Sequence, residues 1–408
     1  MKKTLINSVI FTMLFVYNCF SQFKININSV GIPKASTSQI SQILSPEPGM
    51  VVYDSSTNCL KMFNGTKWVS IMTNDIVNTP TASINSGSFT ECQIVTITSN
   101  SITNKIYYTT DGTTPTITSN LYSTPVKISI SSTLKAIAVN DCKINSDIMT
   151  KSYVITPLNG QIGGIHYAYW DFGIPRVTIS EITCKIYDYP KNSDGSINSD
   201  GLFFQMNQAT INGQTFYYGI QTAMTNHTTQ VTGRGFIFSR FGTTDLSNVQ
   251  TAPNGFTEAG TYEGPFISVR RLYDWKPQSY KFKILKTSTD AIGDWYSVYL
   301  KDLVTLQEEF MGAIRFPLVP LNQQGISNNG ISWTEIYSKV NANTPLPNWH
   351  ISVSNPVVNL NTNFLNVSTS YAPIMQNTDI FYNSIDKEVH FYMGANVCRE
   401  HSAGTFIR

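Results

Sequence analysis

From Gly160 to Arg408 the chain is a succession of short aromatic and β-branched runs, each closed by turn residues, and this pattern constrains the fold most. Phe203-Phe204-Gln205-Met206, Phe216-Tyr217-Tyr218-Gly219-Ile220-Gln221, Gly235-Phe236-Ile237-Phe238-Ser239 and Tyr280-Lys281-Phe282-Lys283-Ile284 are four of them. Asp294-Trp295-Tyr296-Ser297-Val298-Tyr299 and Val389-His390-Phe391-Tyr392-Met393 continue the series. Such side chains fit a pleated, half-buried surface, and many short strands with regular turns build a sandwich or jelly roll. A helical period is suggested at one place only, Trp333-Thr334-Glu335-Ile336-Tyr337. The expected class is all-β. At 408 residues the chain exceeds one ordinary core, so two or three domains are expected.

Before this region, Lys105-Ile106-Tyr107-Tyr108-Thr109-Thr110-Asp111-Gly112-Thr113-Thr114-Pro115-Thr116 is followed by Tyr122 and by Thr133-Leu134-Lys135-Ala136-Ile137-Ala138. This hairpin and strand resemble the small immunoglobulin-like module at the C-terminus of chitobiases and β-hexosaminidases. The resemblance implies an immunoglobulin-like sandwich over residues 79–157 that accompanies a functional domain and rarely supplies catalytic residues. Alternation in Ile94-Val95-Thr96-Ile97-Thr98, Val126-Lys127-Ile128-Ser129-Ile130 and Leu134-Lys135-Ala136-Ile137-Ala138 fits half-buried strands independently of it. Asp111 is read as a turn residue that caps its own loop through its side chain.

Residues 22–78 read as a small β module and linker. Met50-Val51-Val52-Tyr53-Asp54 and Asn58-Cys59-Leu60-Lys61-Met62-Phe63 are strands, and Asn64-Gly65 makes a tight hairpin into Lys67-Trp68-Val69-Ser70. The pattern resembles small β segments of bacterial surface proteins. Residues 158–408 form a larger β-sandwich or jelly-roll domain. The runs from Phe216 to Thr222, Gly235 to Asp245, Ile267 to Trp275 and Tyr280 to Ile284 are similar to an uncharacterised domain of secreted bacterial proteins that often travels with carbohydrate modules.

Residues 1–21 carry Lys2 and Lys3, an apolar stretch from Val9 to Val16, and a small residue, Ser21, which together describe a secretory signal peptide. A lipoprotein anchored at Cys19 is the competing reading. No later segment is long and apolar enough to span a bilayer as a helix. The chain is therefore expected to be secreted, periplasmic or at a cell surface. The formal charge of +2 falls to zero without the two lysines (2 − 2 = 0), and only 13% of residues are charged. No phosphate-matching footprint exists, so nucleic acid is not an expected partner.

Export permits disulfides. Cys92 and Cys142, near the first and last strands of the immunoglobulin-like module, are the favoured pair. Cys184 with Cys398 is a second pairing, which leaves Cys59 as a buried thiol. No Cys-x-x-Cys or paired-His motif occurs, so zinc is not indicated by spacing.

Three constellations could carry chemistry in the C-terminal domain. Sugars are bound by aromatic faces with planar polar groups beside them. Strand alternation would set Arg271, Tyr273 and Trp275 on one face, with Trp295 following after one further strand. The competing reading has these aromatics in the core and Asp274 paired with a nearby arginine. The loop from Asn192 to Gly201 places oxygen side chains at every second position, with Asp194, Asn198 and Asp200 as candidate calcium ligands. It lacks the glycine and the glutamate of an EF-hand, so no cofactor beyond a structural calcium is expected. Glu258, Glu263, Asp274, Glu308, Glu309 and Glu335 are available as a glycosidase pair, but none sits in a recognisable motif. His227, His350, His390, Arg234 and Arg240 could serve a lyase, yet one sequence does not tie them together. The leading expectation is non-catalytic binding of a polysaccharide or glycan, or surface adhesion, by the C-terminal sandwich. A glycoside hydrolase or polysaccharide lyase, and a structural cell-envelope protein, are the alternatives.

Overall fold

The computed structural model describes residues 25–26, 29–156, 163–174, 176–192, 194–198, 202–224, 233–336, 347–361, 366–371, 377–394 and 397–407. The signal segment with Cys19, and also Asp200 and His227, lie outside the described residues. The structure is nearly all β, with 54% of the described residues in strands and 3% in helix. It divides into two compact units, Met1–Gly87 with Val95–Val126 and Ser132–Tyr153, and Ser88–Ile94 with Lys127–Ser131 and Val154–Arg408.

In the first unit, strands Val51–Asp54, Cys59–Phe63 and Trp68–Ile71 form an antiparallel meander, with Lys34–Ala35 added in parallel. The Asn64–Gly65 hairpin forms as the sequence indicates. Asn64 Oδ1 accepts from the backbone of Thr66 and Lys67 at 3.0 and 2.9 Å, and Gly65 takes φ +98°. Lys105–Thr109, Ser132–Val139 and Met149–Ile155 pair antiparallel, with Leu134, Ala136 and Ala138 fully buried on alternate positions. Asp111 caps its own turn, accepting from Thr113 N at 3.0 Å and Thr113 Oγ1 at 2.6 Å.

The disulfides correct the sequence expectation. Cys59 bonds to Cys142 across 83 residues, and Cys92 bonds to Cys398 across 306. Cys184, not Cys59, is the buried thiol. The first bond follows from Thr73 to Val77 running beside Cys142 to Ile144, with Thr73 N donating to Cys142 O at 2.8 Å. That backbone contact brings the lead-in meander alongside a residue far along the chain, which no spacing rule anticipates.

The second unit is a sandwich. Its strands are β1 (Gly163–Asp171), β2 (Ile179–Ile186), β3 (Leu202–Ile211), β4 (Gln214–Gln221), β5 (Gly235–Phe241) and β6 (Val249–Thr251). They continue with β7 (Gly255–Gly260), β8 (Phe266–Leu272), β9 (Ser279–Thr289), β10 (Gly293–Asp302), β11 (Glu308–Pro317) and β12 (Asn329–Ile336). The last are β13 (Trp349–Ser354), β14 (Val357–Val358), β15 (Asn366–Tyr371), β16 (Thr378–Asn383), β17 (Glu388–Met393) and β18 (Gly404–Ile407). A front sheet runs β7-β8-β5-β4-β3-β12-β1-β15-β18, and a back sheet runs β6-β11-β10-β9-β2-β13-β17-β16, with β14 paired to β2. The Trp333 to Ile336 segment, which could be read as a helical turn, is the end of strand β12.

One core fills the space between the sheets. Phe216, Tyr218, Phe236 and Phe238 from the front meet Phe282, Tyr296, Phe316 and Phe391 from the back, all at most 3% exposed. At roughly 1.5–3 kcal/mol for each buried large apolar side chain, this cluster dominates the stability of the sandwich. Gly312 on β11 permits a close approach. It takes φ +149°, and a Cβ there would lie 2.6 Å from Val269 Cγ1 on β8.

His166 on β1 is a fully buried polar side chain, at 0% exposure. Its Nε2 lies 3.2 Å from Tyr392 O, a carbonyl that can only accept, so Nε2 carries the proton and Nδ1 accepts from Thr334 Oγ1. Burial lowers its pKa from 6.5 to about 3. Between those values the unfolded chain binds the proton and the folded chain does not. The stability present above about pH 6.5 is therefore lost as pH falls toward 3, by about 2 kcal/mol at pH 5. Denaturant midpoints at pH 7 and pH 5 should show this drop, and His166→Gln should flatten it. Equal slopes for the two proteins would remove His166 as the cause.

Candidate functional site

The four residues expected to form a sugar-binding surface are not brought together. Strand β8 ends at Leu272, so the alternation assumed through Trp275 stops short of it. Trp275 is 0% exposed and donates Nε1–H to Gln221 O at 2.9 Å. Tyr273 packs against the same core. Arg271 is engaged by Glu309 Oε2 at 2.5 Å and Phe310 O at 3.0 Å. Trp295 is 8% exposed, its Nε1–H donating to Asp290 and the Arg315 guanidinium covering its ring at 5.2 Å. Asp274 pairs with Arg234. These aromatics are core, and no open ring face is left on Trp275 for a sugar.

In the calcium loop, Asp194 spends its carboxylate on its own turn, accepting from Ser196 N at 2.9 Å and Ser196 Oγ at 2.6 Å. The Asn198 amide donates to Asn192 Oδ1 at 2.8 Å. Both residues act as hairpin-loop groups.

A different surface carries the unusual chemistry, the face of the front sheet turned away from the core. Inward residues such as Ala168, Trp170, Tyr218, Phe238 and Val269 alternate with outward ones, as strand geometry requires. On β1 the outward residues are Tyr167 and Tyr169, with rings stacked at 6.0 Å. Tyr167 faces Trp333 on β12 across the ladder. Tyr217 on β4 meets the Trp333 ring edge-on at 6.1 Å and faces Ser239 on β5. Ser239 Oγ and Ser268 Oγ on β8 share a hydrogen bond of 2.6 Å, and Ser268 faces Glu258 on β7.

Two features flank this aromatic row. At the β1 and β15 side, a cleft of about 230 Å³ is lined by Tyr169, Trp170, Asp171, Asn328, Asn329, Asn366 and Ser368. Tyr169 is 40% exposed there. At the β7 side, Arg270 and Glu258 form a buried ion pair, with side chains only 6% and 8% exposed, and Tyr262 Oη donates to Glu258 Oε1 at 3.2 Å. Trp333 Nε1–H donates to Glu335 Oε2 at 3.1 Å.

The electrostatics follow from this arrangement. Glu335 is pushed above the usual carboxylate range first by burial, then by the charge of Glu263, against the Trp333 hydrogen bond. Glu263 is raised by burial and by Glu258, with Arg270 opposing. Tyr217 rises to about 12, chiefly through burial. Two carboxyls whose pKa values are both raised, beside one guanidinium and several rings, form a polar patch suited to hydrogen-bonding hydroxyls. Glu258, Glu263 and Glu335 stood among the sequence candidates, and Arg270 belonged to the Arg270–Trp275 cluster, but Tyr167, Tyr169, Tyr217 and Trp333 did not enter as site residues. The signal that could have found Trp333 and Glu335 is their shared parity in a strand, which the helical reading hid.

Two segments of the chain match known families. Residues 84–150 match the Chitobiase/beta-hexosaminidase C-terminal domain. Residues 22–87 match a Phage tail like trimerisation region. No curated protein matches the chain. The chain is thus a modular protein with a carbohydrate-related module. Its two disulfides are compatible with an extracellular setting, and among the described residues no helix is long and apolar enough to cross a membrane.

Proposed function

We propose that this is an exported glycan-binding protein, and that the outer face of the front sheet holds the sugar chain. The observation that carries the reading is the cleft where the half-open ring of Tyr169 stands beside Asp171, Asn329 and Asn366. An aromatic face for C–H surfaces, with amides and a carboxylate for hydroxyls, is the chemistry a saccharide requires. The module at residues 84–150 supports the same class of ligand. Through residues 22–87 three chains assemble, by analogy with the trimerisation region they match, and avidity then strengthens a weak single site. Light scattering on the intact protein should give three chains per particle, and a monomer would end that part of the reading.

A glycan array probed with the full chain is expected to give a confined set of hits. Tyr169→Ala should weaken the best of them about tenfold, which corresponds to about 1.4 kcal/mol. A blank array from folded protein would overturn the binding reading. The raised carboxyls of Glu263 and Glu335 support a second reading, cleavage of the bound polysaccharide by an acid and base pair. Release of new reducing ends, abolished in Glu335→Gln with binding retained, would establish it; intact polymer after prolonged incubation would exclude it.

A further inference from the structure

The back sheet carries a second polar cluster that the front face does not use. On β17, Val389, Phe391 and Met393 enter the core, so Glu388, His390 and Tyr392 face outward. The turn from β16 adds Asp386, in step with Glu388 and His390 at every second position. One ligand atom from each of these three side chains lies within 4.8 Å of the other two. His390 Nε2 is 3.0 Å from Asp386 Oδ2, and Glu388 accepts from Ser352 Oγ at 2.5 Å. Asn383 Nδ2 donates to Asp386 Oδ2 at 2.8 Å.

Two carboxylates therefore converge on one imidazole, and among the described residues neither forms an ion pair with Lys or Arg. Like charges this close call for a cation between them. The imidazole decides which kind. Calcium and magnesium take oxygen ligands, whereas one imidazole with two carboxylates suits zinc and its first-row neighbours, with a fourth position left for water or an outside ligand.

The residue behind His390 fits the same reading. His390 Nδ1 faces His350 Nε2 at 3.0 Å. A metal on Nε2 requires the His390 proton on Nδ1, where His350 Nε2 can accept it. His350 in turn is fixed by stacking between Tyr187 and Tyr392, at 3.7 and 3.9 Å. The His390 side chain is 7% exposed and that of Asp386 38%, so the approach is from the turn.

We propose that the β16–β17 hairpin binds one divalent transition-metal ion of the zinc class through His390 Nε2 and the carboxylates of Asp386 and Glu388, with His350 as the positioning residue. The inference is independent of the glycan reading. The untagged full chain, stripped with chelator and desalted, is titrated with zinc chloride against a chromophoric indicator, then with calcium chloride. One zinc per chain is expected, unaffected by excess calcium. Asp386→Asn, at an exposed turn, should weaken zinc binding at least about tenfold, and His350→Phe by about 10–100-fold. His401→Gln, on a neighbouring segment, should leave it unchanged. Absence of stoichiometric zinc, preference for calcium, or full binding in folded Asp386→Asn would each overturn the site.

Discussion

Trp275→Ala is expected to destabilise the sandwich by about 3–5 kcal/mol, the range for deleting a fully buried large aromatic. The indole is 0% exposed and anchors the segment after β8 to the end of β4 through Gln221 O at 2.9 Å. Arg234 lies over it at 5.3 Å and over Tyr189 at 4.7 Å, so the cavity would sit beneath a guanidinium already tied to Asp274. Trp275→Phe fills most of that volume but leaves Gln221 O without its donor, a cost of about 1–3 kcal/mol. Denaturant unfolding of both variants separates volume from hydrogen bond. Each should retain the wild-type glycan affinity while folded, because the indole points away from the front face. A stable Trp275→Ala protein that has lost only sugar binding would return Trp275 to the ligand surface.

The contrast between Trp275 and Tyr169 shows what could be read from sequence and what could not. Strand parity is local, so the β elements around Phe216, Phe236, Phe282 and Val389 were legible from period alone. Parity says which residues share a face, yet it does not say which face is covered. In the run from Arg270 to Trp275 the strand ends at Leu272, and Tyr273 and Trp275 both turn into the core. The front-face site draws on β1, β12, β4, β8 and β7, whose order in the sheet is not their order in the chain. Its members, from Tyr167 to Glu335, become neighbours only through that topology. The disulfides fail for the same reason, since pairing across 83 and 306 residues is decided by tertiary contact.

Glu258→Gln is expected to cost about 3–5 kcal/mol, comparable to the loss of Trp275, because it removes one charge of a buried ion pair and keeps the other. The side chains are 6% and 8% exposed, so water offers little compensation to whichever partner remains. Replacing both, as Glu258→Leu with Arg270→Met, removes the charges together and should restore stability to within about 1 kcal/mol of the parent. The pair is then a poor stabiliser for its desolvation, and its retention needs another reason. Its neighbours supply one. Arg270 holds Glu263 lower than burial alone would, and Glu258 pushes it up, so the pair tunes the acidity of the Glu263 carboxyl on the front face. The double variant should therefore fold normally and yet bind or cleave its glycan poorly, with the Glu263 carboxyl titrating at a different pH by carbon-detected NMR. Undiminished glycan recognition in the stable double variant would reduce Glu258 and Arg270 to packing, and leave the aromatic row to act without them.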